Sequence, residues 1–420
     1  MTSSAEDAPA RFDVLIVGGG HAAVQVAAGL AGKYEGSVGV LSAELHHPYQ
    51  RPPLTKGYLS GEVDEHELLL RPASFWEAPG VSLLLGHRVT AVDAEAHVVS
   101  TQHGVRYSYG TLVWAAGAEP LRIGLTGADL PGVHELRTLA DTAQFKREIG
   151  PGARVVVIGG GYVGLEAASA SVHAGAEVSV VEAQSRLLSR VTGADVAEHV
   201  RQHHLASGVT IELDATVVGV MDRGGRAGGV VLGDGRELAA DVVLISVGIR
   251  PASSVLADAG ARCSNGVEID LRGRTSLPDV YAAGDCTCFP TEDGARMRLE
   301  SLQNAVEQGD VVAQTILGEE ATYSVVPYFW SNQVNLKIKT IGLVSGHDET
   351  LVRRGPAPGS LTVVYLRGGR VCAVDAVNAM KDYVDARHVL GARVDPNLVT
   401  DPTTRLRDAF RPEVAGHGAA

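Results

Sequence analysis

One local construction occurs twice in this chain: an apolar strand, a turn of three glycines and the opening of a helix. Asp13-Val14-Leu15-Ile16-Val17 leads into Gly18-Gly19-Gly20-His21-Ala22-Ala23, and Arg154-Val155-Val156-Val157-Ile158 leads into Gly159-Gly160-Gly161-Tyr162-Val163-Gly164. Glycines let a backbone approach phosphates closely. A helix N-terminus adds free amide donors and the positive end of a dipole, so each construction is shaped to hold a pyrophosphate. Each is followed by a second apolar stretch that ends near an acid: residues 37–41 precede Glu44, and residues 177–181 precede Glu182. A carboxylate at such a strand end accepts hydrogen bonds from ribose hydroxyls. One glycine turn is a weak signal. Two in register predict an α/β chain with two Rossmann-type dinucleotide-binding domains, and the obvious pair of dinucleotides is FAD and a nicotinamide.

The remaining segments divide the chain. Thr111-Leu112-Val113-Trp114-Ala115-Ala116-Gly117 reads as a buried strand of the first lobe, and Gly150-Pro151-Gly152 breaks the chain before the second turn. The second lobe continues as a helix over 163–174, a strand over 177–181 and a β-rich stretch over 209–238 that turns at Arg223-Gly224-Gly225 and Gly233-Asp234-Gly235. The run 241–248 closes it, and 277–285 returns to the first lobe. From 326 the character changes to a third, α+β domain, with strands over 361–366 and 371–377 joined across Arg367-Gly368-Gly369-Arg370 and a helix over 381–390.

Composition removes several classes of function. A net charge of −13 argues against nucleic-acid binding. No apolar run reaches the ~18 residues of a membrane helix. The stretch from Met1 to Ala10 is polar and reads as a frayed tail of a cytoplasmic protein. The cysteines are Cys263, Cys286, Cys288 and Cys372, with none earlier in the chain, where a thiol pair could react with a flavin. They read as ordinary reduced thiols, and no metal site is evident.

Six ordered motifs carry a family resemblance: Tyr49-Gln50-Arg51-Pro52-Pro53-Leu54-Thr55-Lys56, Leu136-Arg137-Thr138-Leu139, the run from Gly159 to Glu166, Tyr281-Ala282-Ala283-Gly284-Asp285, Glu300-Ser301-Leu302-Gln303-Asn304-Ala305 and Phe329-Trp330-Ser331. With them the chain resembles, over nearly its whole length, the flavoprotein ferredoxin reductases of bacterial oxygenase systems, the putidaredoxin reductase and terpredoxin reductase type. The resemblance implies a glutathione-reductase-like fold with an FAD-binding domain in two parts (11–121 and 252–325), an inserted NADH-binding domain (122–251) and a C-terminal α+β interface domain (326–412). Three positions depart from the family pattern. Ala43 stands where many relatives carry aspartate, Ala115-Ala116-Gly117 replaces Ala-Thr-Gly, and Tyr328-Phe329-Trp330-Ser331-Asn332-Gln333 replaces Trp-Phe-Trp-Ser-Asp-Gln.

The resemblance also assigns residues. Gly18, Gly20, Ala22 and Ala23 cradle the FAD pyrophosphate. Glu44, read alone a solvated loop residue, becomes the ribose acceptor. Arg51, Val89, Arg137, Asp285, Leu302 and Trp330 become FAD contacts, although Val89 and Leu302 by themselves read as core. Lys56, read alone a surface lysine, matches the cation near the flavin ring, and Glu166 matches the glutamate that faces it. The expectation is a Lys56–Glu166 pair whose charge balance tunes flavin and nicotinamide together. For NADH the residues are Gly159, Gly161, Gly164, Glu166, Glu182, Arg190 and Gly248. Glu182 repels a 2′-phosphate, which favours NADH over NADPH, while Arg186 and Arg190 stand near enough in sequence to favour the reverse.

The reaction implied is electron transfer from NADH through FAD to a two-iron two-sulfur ferredoxin that feeds a haem-thiolate monooxygenase or a Rieske dioxygenase. From Val326 onward, three lysines and nine arginines face seven aspartates and two glutamates, a net of +3 on a chain of −13. A basic face including Lys337, Lys339, Arg353 and Arg354 would steer an acidic ferredoxin. The expected state is a monomer or weak homodimer with no nucleic-acid or membrane partner. A rubredoxin reductase and a non-catalytic NADH-binding signalling flavoprotein are the rival readings.

Overall fold

The computed structural model describes residues 9–77, 79–292 and 294–410. The start of the polar tail, up to residue 8, and the final positions 411–412 of the C-terminal domain lie outside them. The chain forms two compact units. One takes the described residues up to Pro53 with Val63–Glu119 and Ile249–Val325; the other takes Leu54–Glu62, Pro120–Gly248 and the described residues from Val326.

The first unit is built on a mixed sheet in the order Val81–Leu85, Val38–Ser42, Ala10–Val17, Arg106–Trp114, Val98–Thr101, Val89–Asp93, with Val280–Ala282 also paired to Arg106–Trp114. The strands on the nucleotide side run parallel, in the register Val17↔Leu41 and Val17↔Trp114. Val14, Leu15 and Ile16 are fully buried, as a strand covered on both faces requires. The helices His21–Leu30 and Leu302–Ile316 meet along a seam of small residues. A Cβ on Gly29 would lie 2.6 Å from Ala313 Cβ, and one on Gly309 would lie 2.9 Å from the Ala22 carbonyl oxygen. Larger side chains there would push the helices apart.

The second unit holds a parallel sheet in the order Thr210–Glu212, Glu177–Val181, Arg154–Ile158, Val242–Ile245, Val133–His134. An antiparallel meander, Val217–Asp222, Ala227–Leu232 and Glu237–Ala239, turns at the two glycine pairs read from the sequence. The β-rich stretch thus splits: its opening strand joins the parallel sheet instead of the meander. The C-terminal part forms a five-stranded antiparallel sheet, Tyr328–Gln333, Leu336–Gly342, Arg370–Val377, Leu361–Arg367, Glu349–Arg354, followed by the helix Met380–Val389. Three of those strands are additional to the two that the sequence announced.

This sheet is not a separate body within its unit. Val157, Leu165, Val180 and Val196 share one buried cluster with Ile338, Leu361, Val363, Tyr365 and Val377. A polar knot lies within it. The fully buried Asp375 carboxylate accepts from Tyr365 Oη at 2.7 Å, from Thr340 Oγ1 at 2.5 Å and from Thr192 Oγ1, while Tyr365 Oη accepts the Gly193 N–H at 3.1 Å. Burial pushes the Asp375 carboxyl up, and the three hydroxyl donors oppose that shift. Asp375→Ala strands three buried hydroxyls and should cost about 3 kcal/mol. The check is a lower urea midpoint for the holoprotein; an unchanged midpoint would show the knot to be dispensable.

Candidate functional site

In the first unit the strand Ala10–Val17 ends at Gly18, whose φ of 132° suits glycine. A Cβ there would sit 2.2 Å from the Ala115 carbonyl oxygen. Gly20 is the N-cap of His21–Leu30 and supplies no side-chain cap, so the first-turn amides stay available. The atom nearest a Cβ on Gly20 is Arg51 Nε, at 4.0 Å. Open space between an uncapped helix start and a guanidinium suits a diphosphate. Burial, followed by the Arg51 charge, pulls the His21 imidazole down to about 4, so it adds no charge to this cradle at neutral pH.

Glu44 is not a loosely solvated loop residue. Its Oε1 accepts from Arg51 Nη2 at 2.7 Å and its Oε2 from Tyr49 Oη at 2.5 Å. That arrangement aims a carboxylate and a guanidinium from one short segment, as ribose and pyrophosphate recognition need. Asp285 lies within electrostatic reach of Arg51. It follows Gly284 (φ 86°), where a Cβ would approach Ala22 Cβ to 3.1 Å. Val89 is buried, and Leu302 opens the helix Leu302–Ile316 behind its Ser301 cap.

Sequence reasoning missed Gln308. Its Oε1 accepts the Gly284 N–H at 2.8 Å and Thr287 Oγ1 at 2.9 Å, which ties this helix to the Asp285 turn. Its amide nitrogen is buried with no hydrogen-bond partner among the described residues. The quoted motif stops at Ala305. Extending it one helical turn along the buried face would have reached Gln308.

The second unit repeats the cradle. Gly159 has φ 109° and a Cβ there would lie 2.3 Å from the Ser246 carbonyl oxygen; one on Gly164 would lie 2.3 Å from the Gly159 carbonyl oxygen. Gly161 caps the helix Tyr162–His173 without a side-chain bond, and a Cβ there meets nothing within 4 Å. Glu182 accepts the Gly160 N–H at 2.7 Å and the Gln184 N–H at 2.8 Å, which holds its carboxylate against the glycine turn. Arg186 is committed elsewhere: it donates to the carbonyls of Thr192 at 2.7 Å and Ser189 at 2.9 Å. Arg190 lies beside Gly248 (φ 120°), where a Cβ would come within 3.1 Å of its Nη2.

On the same unit, Glu166 is 3% exposed and fully engaged. Its Oε2 accepts from Lys56 Nζ at 2.8 Å and from Thr55 Oγ1 at 2.5 Å, and its Oε1 accepts from Ser331 Oγ at 2.5 Å. The expected Lys56–Glu166 pair is present, with Thr55 and Ser331 as members that the sequence did not announce. Arg137 precedes Thr138, the N-cap whose capping box with Asp141 opens Leu139–Glu148, and its N–H donates to Asp141 Oδ2 at 3.3 Å. Trp330 stacks on Tyr328 with ring centroids 6.0 Å apart.

One cation of the expected basic face is corrected. Arg353 is 5% exposed, paired with Asp382 at 3.2 Å and donating to the carbonyls of Val399, Pro402 and Thr404. It pins the C-terminal segment and is closed to a partner. Lys337 and Arg354 are exposed, and Lys339 lies over the Tyr383 ring at 4.8 Å. Cys286 and Cys288 are buried and Cys263 and Cys372 partly so, all as free thiols. Among the described residues no helix is long and apolar enough to cross a membrane, and no cluster of metal-ligating side chains occurs.

Two uncapped glycine turns, each with its own strand-end acid, together with a part-buried Lys56–Glu166 pair suit a protein that handles two nucleotides. The chain belongs to the pyridine nucleotide-disulphide oxidoreductase family, whose model matches residues 12–309, and a reductase C-terminal domain matches 328–410. It is 43% identical over 411 residues to a ferredoxin–NAD(P)(+) reductase of a Sphingomonas species, covering 96% of this chain and 99% of that one. It is 43% identical over 403 residues to the 5,5'-dehydrodivanillate O-demethylase ferredoxin reductase subunit of a Sphingobium strain, covering 94% and 98%. Among solved structures, the covalent putidaredoxin reductase–putidaredoxin complex aligns with a TM-score of 0.90 and 32% identity over 96% of this chain and 98% of that one. The cofactors are FAD and a pyridine nucleotide, and both cradles fit a dinucleotide.

Proposed function

We propose that this enzyme carries electrons from NADH through FAD to a two-iron two-sulfur ferredoxin serving an oxygenase, acting in the cytoplasm. The observation that carries the reading is the pair of open glycine cradles, one per unit, in a chain that matches named ferredoxin reductases over nearly its whole length. FAD, when bound, takes two electrons from reduced nicotinamide and releases them one at a time. Residues 11–121 and 252–325 bind it, residues 122–251 bind NADH, and 326–412 meet the ferredoxin.

In this reading Gly18, Gly20, Ala22, Ala23, Glu44, Arg51, Lys56, Val89, Arg137, Asp285, Leu302 and Trp330 hold FAD. Gly159, Gly161, Gly164, Glu166, Glu182, Arg190 and Gly248 hold NADH. Lys56 and Glu166 are the catalytic pair: the ammonium favours negative charge on the reduced flavin, and the carboxylate limits how strongly it does so. The commitment of Arg186 to backbone carbonyls supports NADH, because it leaves the Glu182 carboxylate to face the ribose unopposed from that side.

The ferredoxin face is assigned to the C-terminal part. Lys337, Arg354, Lys381 and Arg387 are exposed, and on the helix Met380–Val389 the apolar Met380 and Val384 are 58% and 52% exposed. Stopped-flow reduction by NADH, followed by mixing with two-iron ferredoxins or with rubredoxin, tests the whole scheme. Fast turnover with a ferredoxin, with a kcat/KM that falls as salt rises, is expected. Preference for rubredoxin, or NADH reduction without onward transfer, would favour the rival readings.

A further inference from the structure

The Ser331 that donates to Glu166 does not end the network. Ser331 and Gln333 lie two apart on the strand Tyr328–Gln333, so their side chains share a face, and both are buried. Gln333 Nε2 donates to Ser331 Oγ at 2.9 Å, and Gln333 Oε1 lies 3.1 Å from Nε2 of the fully buried His204, on the helix Ala194–Ala206. The turn that follows is pinned to the Glu166 helix by Val334 N–H donating to Ser169 Oγ at 2.6 Å.

The direction of every bond follows from the first. A carboxylate paired with Lys56 can only accept, so the Ser331 proton goes to Glu166 Oε1. The Ser331 oxygen must then accept, which turns the Gln333 nitrogen toward it. The Gln333 carbonyl is left facing His204, which must donate from Nε2. His204 Nδ1 is buried without a hydrogen-bond partner among the described residues, so a proton there would be an unmet donor. Burial likewise pulls this imidazole toward its neutral form.

We propose that His204, Gln333 and Ser331 are positioning residues. They form a one-way hydrogen-bond chain, with His204 fixed as its Nε2–H tautomer, that holds one oxygen of Glu166 and so presents the other to Thr55 and Lys56. This rests on the reading of Lys56 and Glu166 as the catalytic pair. A wrongly turned Glu166 carboxylate leaves Lys56 unbalanced but leaves Gly159, Gly161, Gly164 and Glu182 in place to hold NADH, so the chain acts on the rate of hydride transfer more than on nucleotide affinity.

The test uses FAD-loaded enzyme. Ser331→Ala and Gln333→Met should each slow the limiting rate of NADH-driven flavin reduction about tenfold or more, the scale of a mispositioned group, with a smaller change in the Kd for NADH. In a Glu166→Gln background neither should slow it further. Histidine-selective 15N NMR on the unsubstituted holoprotein, with the His204→Phe variant to assign the signal, should show His204 protonated at Nε2 and bare at Nδ1. Native rates in both variants, additive losses in the Glu166→Gln background, or an Nδ1–H tautomer would overturn the chain while leaving the catalytic pair in place. A native rate in Glu166→Gln itself would overturn the pair, and this inference with it.

Discussion

Gly18→Val should leave purification without the yellow absorbance of a bound flavin, its 450 nm to 280 nm ratio lowered about tenfold or more. The reasons are local. Valine is strained at a φ of 132°, and its Cβ would lie 2.2 Å from the Ala115 carbonyl oxygen and 2.7 Å from its carbon. That backbone cannot yield, because Ala115 N–H is bonded to the Val17 carbonyl at 2.8 Å and Gly18 N–H to the Leu41 carbonyl at 2.9 Å. The turn itself must move, and with it the amides that open His21–Leu30. Gly32→Ala is the control: it also has positive φ, 71°, but a Cβ there meets nothing within 4 Å. It should keep its flavin. A fully coloured Gly18→Val would disprove the first cradle.

Glu182→Arg should turn the nucleotide preference toward NADPH, shifting the ratio of kcat/KM values by about 10²-fold, or about 2.7 kcal/mol. The substitution removes an anion held against the glycine turn by the Gly160 and Gln184 amides and places a guanidinium where a 2′-phosphate would lie. Glu182→Gln keeps the shape and removes only the charge, so a smaller shift in the same direction is expected. Steady-state kinetics with both nucleotides decides the matter; an unmoved ratio would sink the assignment of Glu182.

The nucleotide-binding half of this architecture is legible because its constraints are local. A glycine turn after an apolar strand and before a helix has one low-energy geometry, and the elements follow within a residue: the helix read over 163–174 is Tyr162–His173, and the strand read over 177–181 is Glu177–Val181. What escaped is what depends on distant partners. Thr210–Glu212 reads only as the opening of a β-rich stretch until Glu177–Val181 offers it a parallel edge. Arg353 reads as a surface cation until Asp382 and three carbonyls close around it. Ser331 and Gln333 alternate with the exposed Asn332, a pattern any edge of a sheet could show, and only His204, more than a hundred positions away in sequence, gives them a common purpose.

The shared interior of the second unit bears on how such reductases can exchange partners. The strands Leu336–Gly342 and Leu361–Arg367 bury Ile338, Leu361, Val363 and Tyr365 in the same cluster as Val157, Leu165 and Val180. A chimaera joined at Val326 would therefore graft a foreign half onto a native hydrophobic interior and strand the Thr192 and Gly193 contacts as well. Recombination that respects the packing must carry Pro120–Gly248 and the C-terminal sheet together, so, with the ferredoxin face and NADH region as proposed, specificity for an electron acceptor is inherited as a block with the NADH-binding part and not as a detachable cassette.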